Sequence, residues 1–334
     1  MRPKITLHIG IGKTGTSAIQ AALARNHDAL KAHGALYPEH DSFDLARSGQ
    51  VTSGNLVPDG KGWFEDQLMT TVRKNPGYST YIFSSEYLWW QMDSFVRTSA
   101  LYRDDYDFDI VLFVRDPFEF LNSSYQQKVK TGGFFLGLRE YSPLLVSFGG
   151  VKAVLEALEK RGIGYTMFNY SVMRREVVKR FFKHLGLWDV VSSDPANIGT
   201  INRSLTAAEL NFIRYVNQIF GASYGTRIAN ALVSQLPAIT ADIVPINEET
   251  RREVCEKNES YIHYLNERLA PSEQLTLIPP QPSSALGDDY VLSREQIEVI
   301  KNAFLQALLE QRGVTEVGER THALSRAASE RCAD

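Results

Sequence analysis

The stretch KITLHIGIGKTGTSAIQ, residues 4–20, constrains the fold more than any other part of the chain. Ile5, Leu7 and Ile9 alternate with Thr6 and His8 until glycines interrupt the run, which is the period of a strand entering a turn. From Thr16 the spacing becomes helical, with Ile19, Leu23, Ala24 and Leu30 on one side, and it stops at Gly34 after Lys31 and His33. A strand, a glycine loop and a helix in that order bring the amides of a helix N-terminus to the carboxyl edge of a sheet, where they can cradle an anion. Gly12, Lys13, Thr14, Gly15, Thr16 and Ser17 occupy that position, Lys13 as a point charge and the three hydroxyls as donors. The plain alternative is a glycine turn beside a solvated lysine. A nucleoside triphosphatase loop would need glycine at position 7, where Leu7 stands.

Three further apolar runs, TYIFSSE (80–86), DIVLFVR (109–115) and IGYTMFNY (163–170), suit buried parallel strands, and GVKAVLEALEKRG (150–162) is helical between the last two. Strands alternating with helices imply an α/β fold, a P-loop-like parallel sheet flanked by helices. Residues 35–62, rich in Gly, Pro, Ser and Asp, read as an irregular surface excursion. Helices dominate from about 204, notably 205–220, 246–269 and 293–312, as a helical C-terminal extension. The expected organisation is one domain over 1–312, with its core in 1–190 and a mainly helical part in 200–312, then a flexible tail over 313–334.

A net charge of −3 argues against capture of nucleic acid, and 43% apolar with 22% charged residues is ordinary for a globular chain. Cys255 and Cys332 are too few for a disulfide framework or a four-ligand zinc site, which fits a reducing cytoplasm. No window of about 18 apolar residues offers a membrane span, and the N-terminal apolar run is too short for a signal core. Apolar faces such as FLQALLEQ supply a candidate homodimer surface.

A second anion pocket is suggested by VRDPFEFLNSSYQQKVK, residues 114–130. Arg115 ends a buried strand, Asp116 can cap the following helix with Glu119 as its box partner, and Pro117 fits the first helical position. Ser123 lies two turns on, on the face of Asp116 and Phe120, leaning toward Arg115. Pairing of Arg115 with a neighbouring carboxylate is the structural alternative.

K-T-G-T-S after the first strand, with a later strand ending in Arg and a Ser eight residues on, resembles the sulfotransferases that use 3′-phosphoadenosine 5′-phosphosulfate, over roughly residues 4–170. HIGIGKTGTSAIQ and GALYP look most like bacterial carbohydrate-type members. The resemblance implies that Lys13 to Ser17 hold the 5′-phosphosulfate, that Arg115 and Ser123 hold the 3′-phosphate, and that no metal takes part. It also implies that Glu86, ending the second long strand, is the base for an acceptor hydroxyl or amine; His8 is the rival base. Trp89, Trp90, Phe134 and Phe135 are candidates for an aromatic acceptor cleft, with TGGFFLG (131–137) as a movable lip, and Asn202-Arg203-Ser204 as a weaker nucleotide contact. The R-K-G-x-x-G-D-W segment of cytosolic phenol and steroid sulfotransferases has no counterpart, since GKGW at 60–63 comes too early. A kinase or triphosphatase with Asp116 on magnesium, and a nucleotide-binding module without turnover, remain the alternative readings.

Overall fold

The computed structural model of the protein describes residues 2–56, 64–88, 92–142, 148–191, 203–241, 243–280 and 291–311. Five parallel strands, β1 (Lys4–Ile9), β2 (Ala35–Leu36), β3 (Thr80–Ser85), β4 (Asp107–Val114) and β5 (Tyr165–Asn169), form a sheet of order β2-β3-β1-β4-β5. The fold is therefore α/β, as the alternation of apolar runs with helical segments required. Each long strand sends alternate residues to opposite faces, and both faces are covered. Ile5, Leu7, Ile9, Phe83 and Leu112 meet Met69, Phe95, Leu155 and Leu265 on one face, while Ile82, Val111 and Phe113 meet Ile19, Leu23, Phe181 and Phe182 on the other.

Two segments differ from expectation. The single helical pattern over 16–34 is two helices, Thr16–Arg25 and His27–Ala32, broken where the Asn26 amide donates 2.8 Å to the Ala22 carbonyl and so competes with the helical ladder. Of residues 35–62, expected as an irregular surface excursion, 35–37 and 43–47 are built into the fold, side chains such as Leu45 and Val51 are exposed, and 57–62 lie outside the described residues. Ala35 and Leu36 pair with Thr80 and Tyr81 as the edge strand β2, Tyr37 is wholly buried, and a helix spans Phe43–Arg47. A strand of two residues is too short to show a period.

The described chain groups into two compact units, each assembled from separated stretches. The first takes Met1–Leu121, Leu144–Ile201 and Asn247–Pro279; the second takes Asn122–Pro143, Asn202–Ile246 and Pro280–Asp334. The helix Glu248–Asn266, in the part expected to be mainly helical, belongs to the first unit and buries Ile262 and Leu265 in its core. In the second unit the helices Ala207–Phe220 and Ala222–Gln235 meet at Gly221, and a Cβ at Gly225 would lie 1.9 Å from Asn217 Oδ1, so only glycine permits their approach. Thr206 and Glu209 cap the first of these reciprocally. The helix Arg294–Gln311 joins them through Phe304, which contacts the rings of Phe220 and Tyr224. No helix among the described residues is long and apolar enough to cross a membrane.

Candidate functional site

The central strand β1 sends its chain toward the face that carries Ile19 and Leu23, whereas β3 sends its chain toward the face that carries Phe95 and Val96. Their exit loops diverge, which makes the crevice above their carboxyl ends a topological switch point. In-register pairing of Ile9 with Ser85 brings Gly10 level with Glu86, and the Gly10 amide donates 3.2 Å to the Ser85 carbonyl.

Glycine is required twice in this loop. A Cβ at Gly10 would lie 2.9 Å from Thr16 and 3.1 Å from Glu86 Cγ, so its absence lets the glutamate close on the helix start. Gly15 caps the Thr16–Arg25 helix at φ 84°, and a Cβ there would lie 2.9 Å from the Tyr170 ring and 3.0 Å from Val177. Lys13 is the lone non-glycine residue of positive φ, 71°, among the described residues, a conformation costing a side-chain-bearing residue about 1–2 kcal/mol. Its carbonyl accepts 2.9 Å from Arg115 Nη1, so the end of β4 is tied to the loop above β1.

Arg115 makes the carboxylate pairing that is the structural alternative for it, and no contact joins it to Ser123 among the described hydrogen bonds. The Arg115 side chain is 13% exposed, its Nε lies 3.4 Å from Glu119 Oε2, and its guanidinium stacks 5.2 Å from the Tyr170 ring centroid. Glu119 also pairs with Arg174 and accepts 2.7 Å from Ser171 Oγ. The expected Asp116–Glu119 capping box is changed by that serine: the Asp116 amide donates 2.9 Å to Ser171 Oγ, which passes a hydrogen bond on to Glu119. The Asp116 carboxylate instead accepts from the Asn169 side chain and from the amide and hydroxyl of Thr276. Ser171 is absent from the reading of the sequence, although Asn169-Tyr170-Ser171 carries an Asx-cap signal: the Ser171 amide donates 2.8 Å to Asn169 Oδ1.

The hydroxyls divide. Thr14 is fully buried and donates to the Ile11 carbonyl, so it shapes the loop and does not face a ligand, contrary to expectation. Thr16 is 3% exposed and its Oγ1 has no hydrogen-bond partner, a donor position that a bound oxyanion would satisfy. Ser17 and Gly12 are half-buried, and a Cβ at Gly12 would meet open space. These groups fit a phosphosulfate: an orphaned hydroxyl, room beside glycine, a helix N-terminus and a lysine.

Of the two candidate bases, one belongs to the core. His8 is wholly buried between Phe113 and Phe181, its Nδ1 2.8 Å from Ser84 Oγ, and burial pushes its pKa down to about 3. A neutral, inaccessible imidazole cannot reach an acceptor. Glu86 is half-buried; burial pushes its carboxyl above the ordinary range and the Lys13 charge pulls it partly back, which places the two side chains in each other's field.

The remaining candidates lie elsewhere. Trp89, Trp90 and Asn202 fall outside the described residues. Ser123 is half-buried on the Pro117–Gly132 helix, past the point where that helix passes into the second unit. Phe134 packs against Tyr125 and Tyr141, and the segment is pinned: Asn217 donates to the Phe134 carbonyl, Arg214 to that of the exposed Phe135, and Tyr125 to that of Leu136. A free lip does not fit those bonds. Arg203 is engaged by the buried Glu209 and by the carbonyls of Leu232 and Leu236, so it braces the second unit and is not a nucleotide contact.

No family model, curated protein or solved structure matches this chain. The likeness to sulfotransferases rests on the residues themselves.

Proposed function

We propose that the chain is a sulfotransferase that moves a sulfuryl group from 3′-phosphoadenosine 5′-phosphosulfate to a hydroxyl or amine of a carbohydrate or other small acceptor, in the cytoplasm of a bacterium. The observation that carries the reading is the loop at the switch point, where Lys13, held by Arg115, lies in the field of Glu86 beside the unpartnered Thr16 hydroxyl.

The co-substrate supplies an activated sulfuryl group on a phosphate leaving group. The first-turn amides of the Thr16–Arg25 helix and the Thr16 hydroxyl bind the anion. As the acceptor oxygen bonds to sulfur and the sulfur–oxygen bond to phosphate breaks, Lys13 stabilises the charge gathering on the leaving oxygen. Glu86 takes the acceptor proton, and its raised pKa makes it a stronger base than a solvated carboxylate. Leu7 lies inside β1, paired with Phe83 and Ile110, so the loop starts after the point where a triphosphatase loop would.

A thermal-shift series with adenosine nucleotides, followed by sulfate transfer to a glycan panel, tests this. Stabilisation by 3′-phosphoadenosine 5′-phosphate without magnesium is expected; stabilisation by magnesium–ATP alone would sink the proposal in favour of a kinase. Glu86→Gln should keep the nucleotide shift and lose transfer by about 10² to 10⁴. Normal transfer by that variant would remove Glu86 as the base, and nucleotide binding with no transfer to any acceptor would favour a silent module.

A further inference from the structure

In the second unit the helix Ala207–Phe220 is apolar on two opposite sides. Leu210, Ile213 and Val216 are buried inward, beside Asn217, whose side-chain amide donates to the Val129 and Phe134 carbonyls. Phe212, Tyr215 and Ile219 recur three and four residues apart and form one outward stripe, Phe212 half-buried, Tyr215 58% exposed and Ile219 70% exposed. A helix with apolar residues all round is ordinarily a buried one, yet the outward half of this helix has no cover among the described residues.

The stripe continues onto a neighbouring helix. Gln296 donates 2.8 Å to the buried Glu209, and the Phe304 ring centroid lies 5.0 Å from that of Phe220, so a contact toward either end holds the helix Arg294–Gln311 alongside. Ile297 and Phe304 lie two turns apart on the side of that helix turned toward Phe220; Ile297 is 51% exposed and Phe220 47%. The segment FLQALLEQ, expected as an association face, supplies Phe304 but buries Ala307. We infer that Phe212, Tyr215, Ile219, Phe220, Ile297 and Phe304 form the interface of a two-fold homodimer of this chain. The surface lies within the second unit and does not depend on the sulfotransferase reading.

Area and charge both favour a second copy as the occupant. A large aromatic side chain offers roughly 150–250 Å², so these exposures leave on the order of 500 Å² of apolar surface bare. That lies toward the upper end for the largest patch of a monomer, about 300–600 Å², and is more than half of the roughly 800 Å² that each partner gives to a stable interface. Charges near the stripe are paired locally: Glu209 with Arg203, Lys301 with Glu298, and Arg214 with the Phe135 carbonyl. None of the six interface side chains is charged, so two copies can close face to face without burying an unpaired ion or opposing like charges. The same lack of charge gives a nucleic acid or an acidic peptide nothing to pair with.

Sedimentation analysis of the full-length protein from nanomolar to high micromolar concentration tests the dimer. A reversible dimer is expected, not weakened by salt, with a melting temperature that rises with protein concentration. Ile219→Glu, a helix-compatible change at an exposed site, should raise the dimer dissociation constant by about tenfold or more and abolish the concentration dependence of melting. Tyr215→Ala, which adds no charge, should raise it by about fivefold or more, and it decides the matter if the glutamate disturbs the fold. Leu101→Glu, at a comparably exposed apolar residue of the first unit, should leave the dimer intact. A monomer at every concentration overturns the inference, as do loss of the dimer in high salt, dissociation by Leu101→Glu, and a dimer that neither Tyr215→Ala nor Ile219→Glu weakens. A full chain that stays monomeric while residues 1–311 dimerise would assign the face to residues 312–334, and a monomer that floats with phosphatidylserine vesicles would assign it to a membrane surface; either result overturns the homodimer.

Discussion

Lys13 combines a strained backbone with a charge placed against Glu86. Strain of this kind persists where the surroundings over-determine it, and here the Arg115 bond to the Lys13 carbonyl does so. Lys13→Gly should therefore raise stability by up to about 1 kcal/mol while lowering transfer by about 10² to 10³. Denaturant midpoints and single-turnover rates read the two effects, and loss of both together would show that the side chain also holds the fold. His8 gives a pH signature. Its folded pKa of about 3 lies below the ordinary 6.5, so between those values the unfolded chain binds the proton and stability falls on acidification, by about 1.4 kcal/mol per pH unit. His8→Gln, which retains an acceptor for Ser84, should show a shallower loss of urea midpoint from pH 7 to pH 5 than the parent protein. Equal slopes would show that His8 is not buried as a neutral ring. The sequence could not assign His8 because alternation separates one face of a strand from the other, and in a sheet covered on both sides neither face is solvent. Thr14 has the same difficulty: a hydroxyl in a glycine loop looks like a donor to a ligand until its bond to Ile11 is seen.

At the scale of elements, local signals were legible and long-range ones were not. The strand–loop–helix of residues 4–25 is written in spacing and glycine alone, as are β3, β4 and β5. The D-x-x-E start of the Pro117–Gly132 helix was also visible, but Ser171, 55 residues from Asp116, enters it through the fold of β5 and no local pattern could show that. Ser171→Ala removes both the acceptor of the Asp116 amide and a donor to Glu119. It should cost about 1–2 kcal/mol and loosen Arg115, whose partner Glu119 would then lean on Arg174. The expected readout is a lower melting temperature with a weaker shift by 3′-phosphoadenosine 5′-phosphate. A lower melting temperature with an undiminished nucleotide shift would separate the relay from the site. Gly15→Ala is the sharper test of the loop: φ of 84° and the nearby Tyr170 and Val177 leave no room for a methyl group, so both stability and nucleotide binding should fall.

The whole molecule is built from interleaved stretches, and this was the least legible level. Apolar periodicity announces that the Glu248–Asn266 helix exists, yet not which core receives its apolar face, because amphipathic faces are nearly interchangeable in sequence. A fragment of residues 1–201 would keep every strand and every residue of the candidate anion site, and on sequence grounds it looks like a self-contained core. It would lose Ile262, Leu265, Leu269 and Leu275, all buried in the first core. Removing one such side chain costs about 2–5 kcal/mol, so losing four, about 8–20 kcal/mol, is as large as the roughly 5–15 kcal/mol by which domains of this kind are typically stable. The fragment should therefore expose apolar surface and melt without a cooperative transition, whereas Leu265→Ala in the full chain should melt cooperatively at a lower temperature. Circular dichroism melts with a dye that reports exposed apolar surface distinguish the two. A cooperative melt of the 1–201 fragment would mean that the returning helix is an accessory to the first unit; its absence, with a folded Leu265→Ala protein, would make residues 247–279 an obligatory part of the core that carries the site.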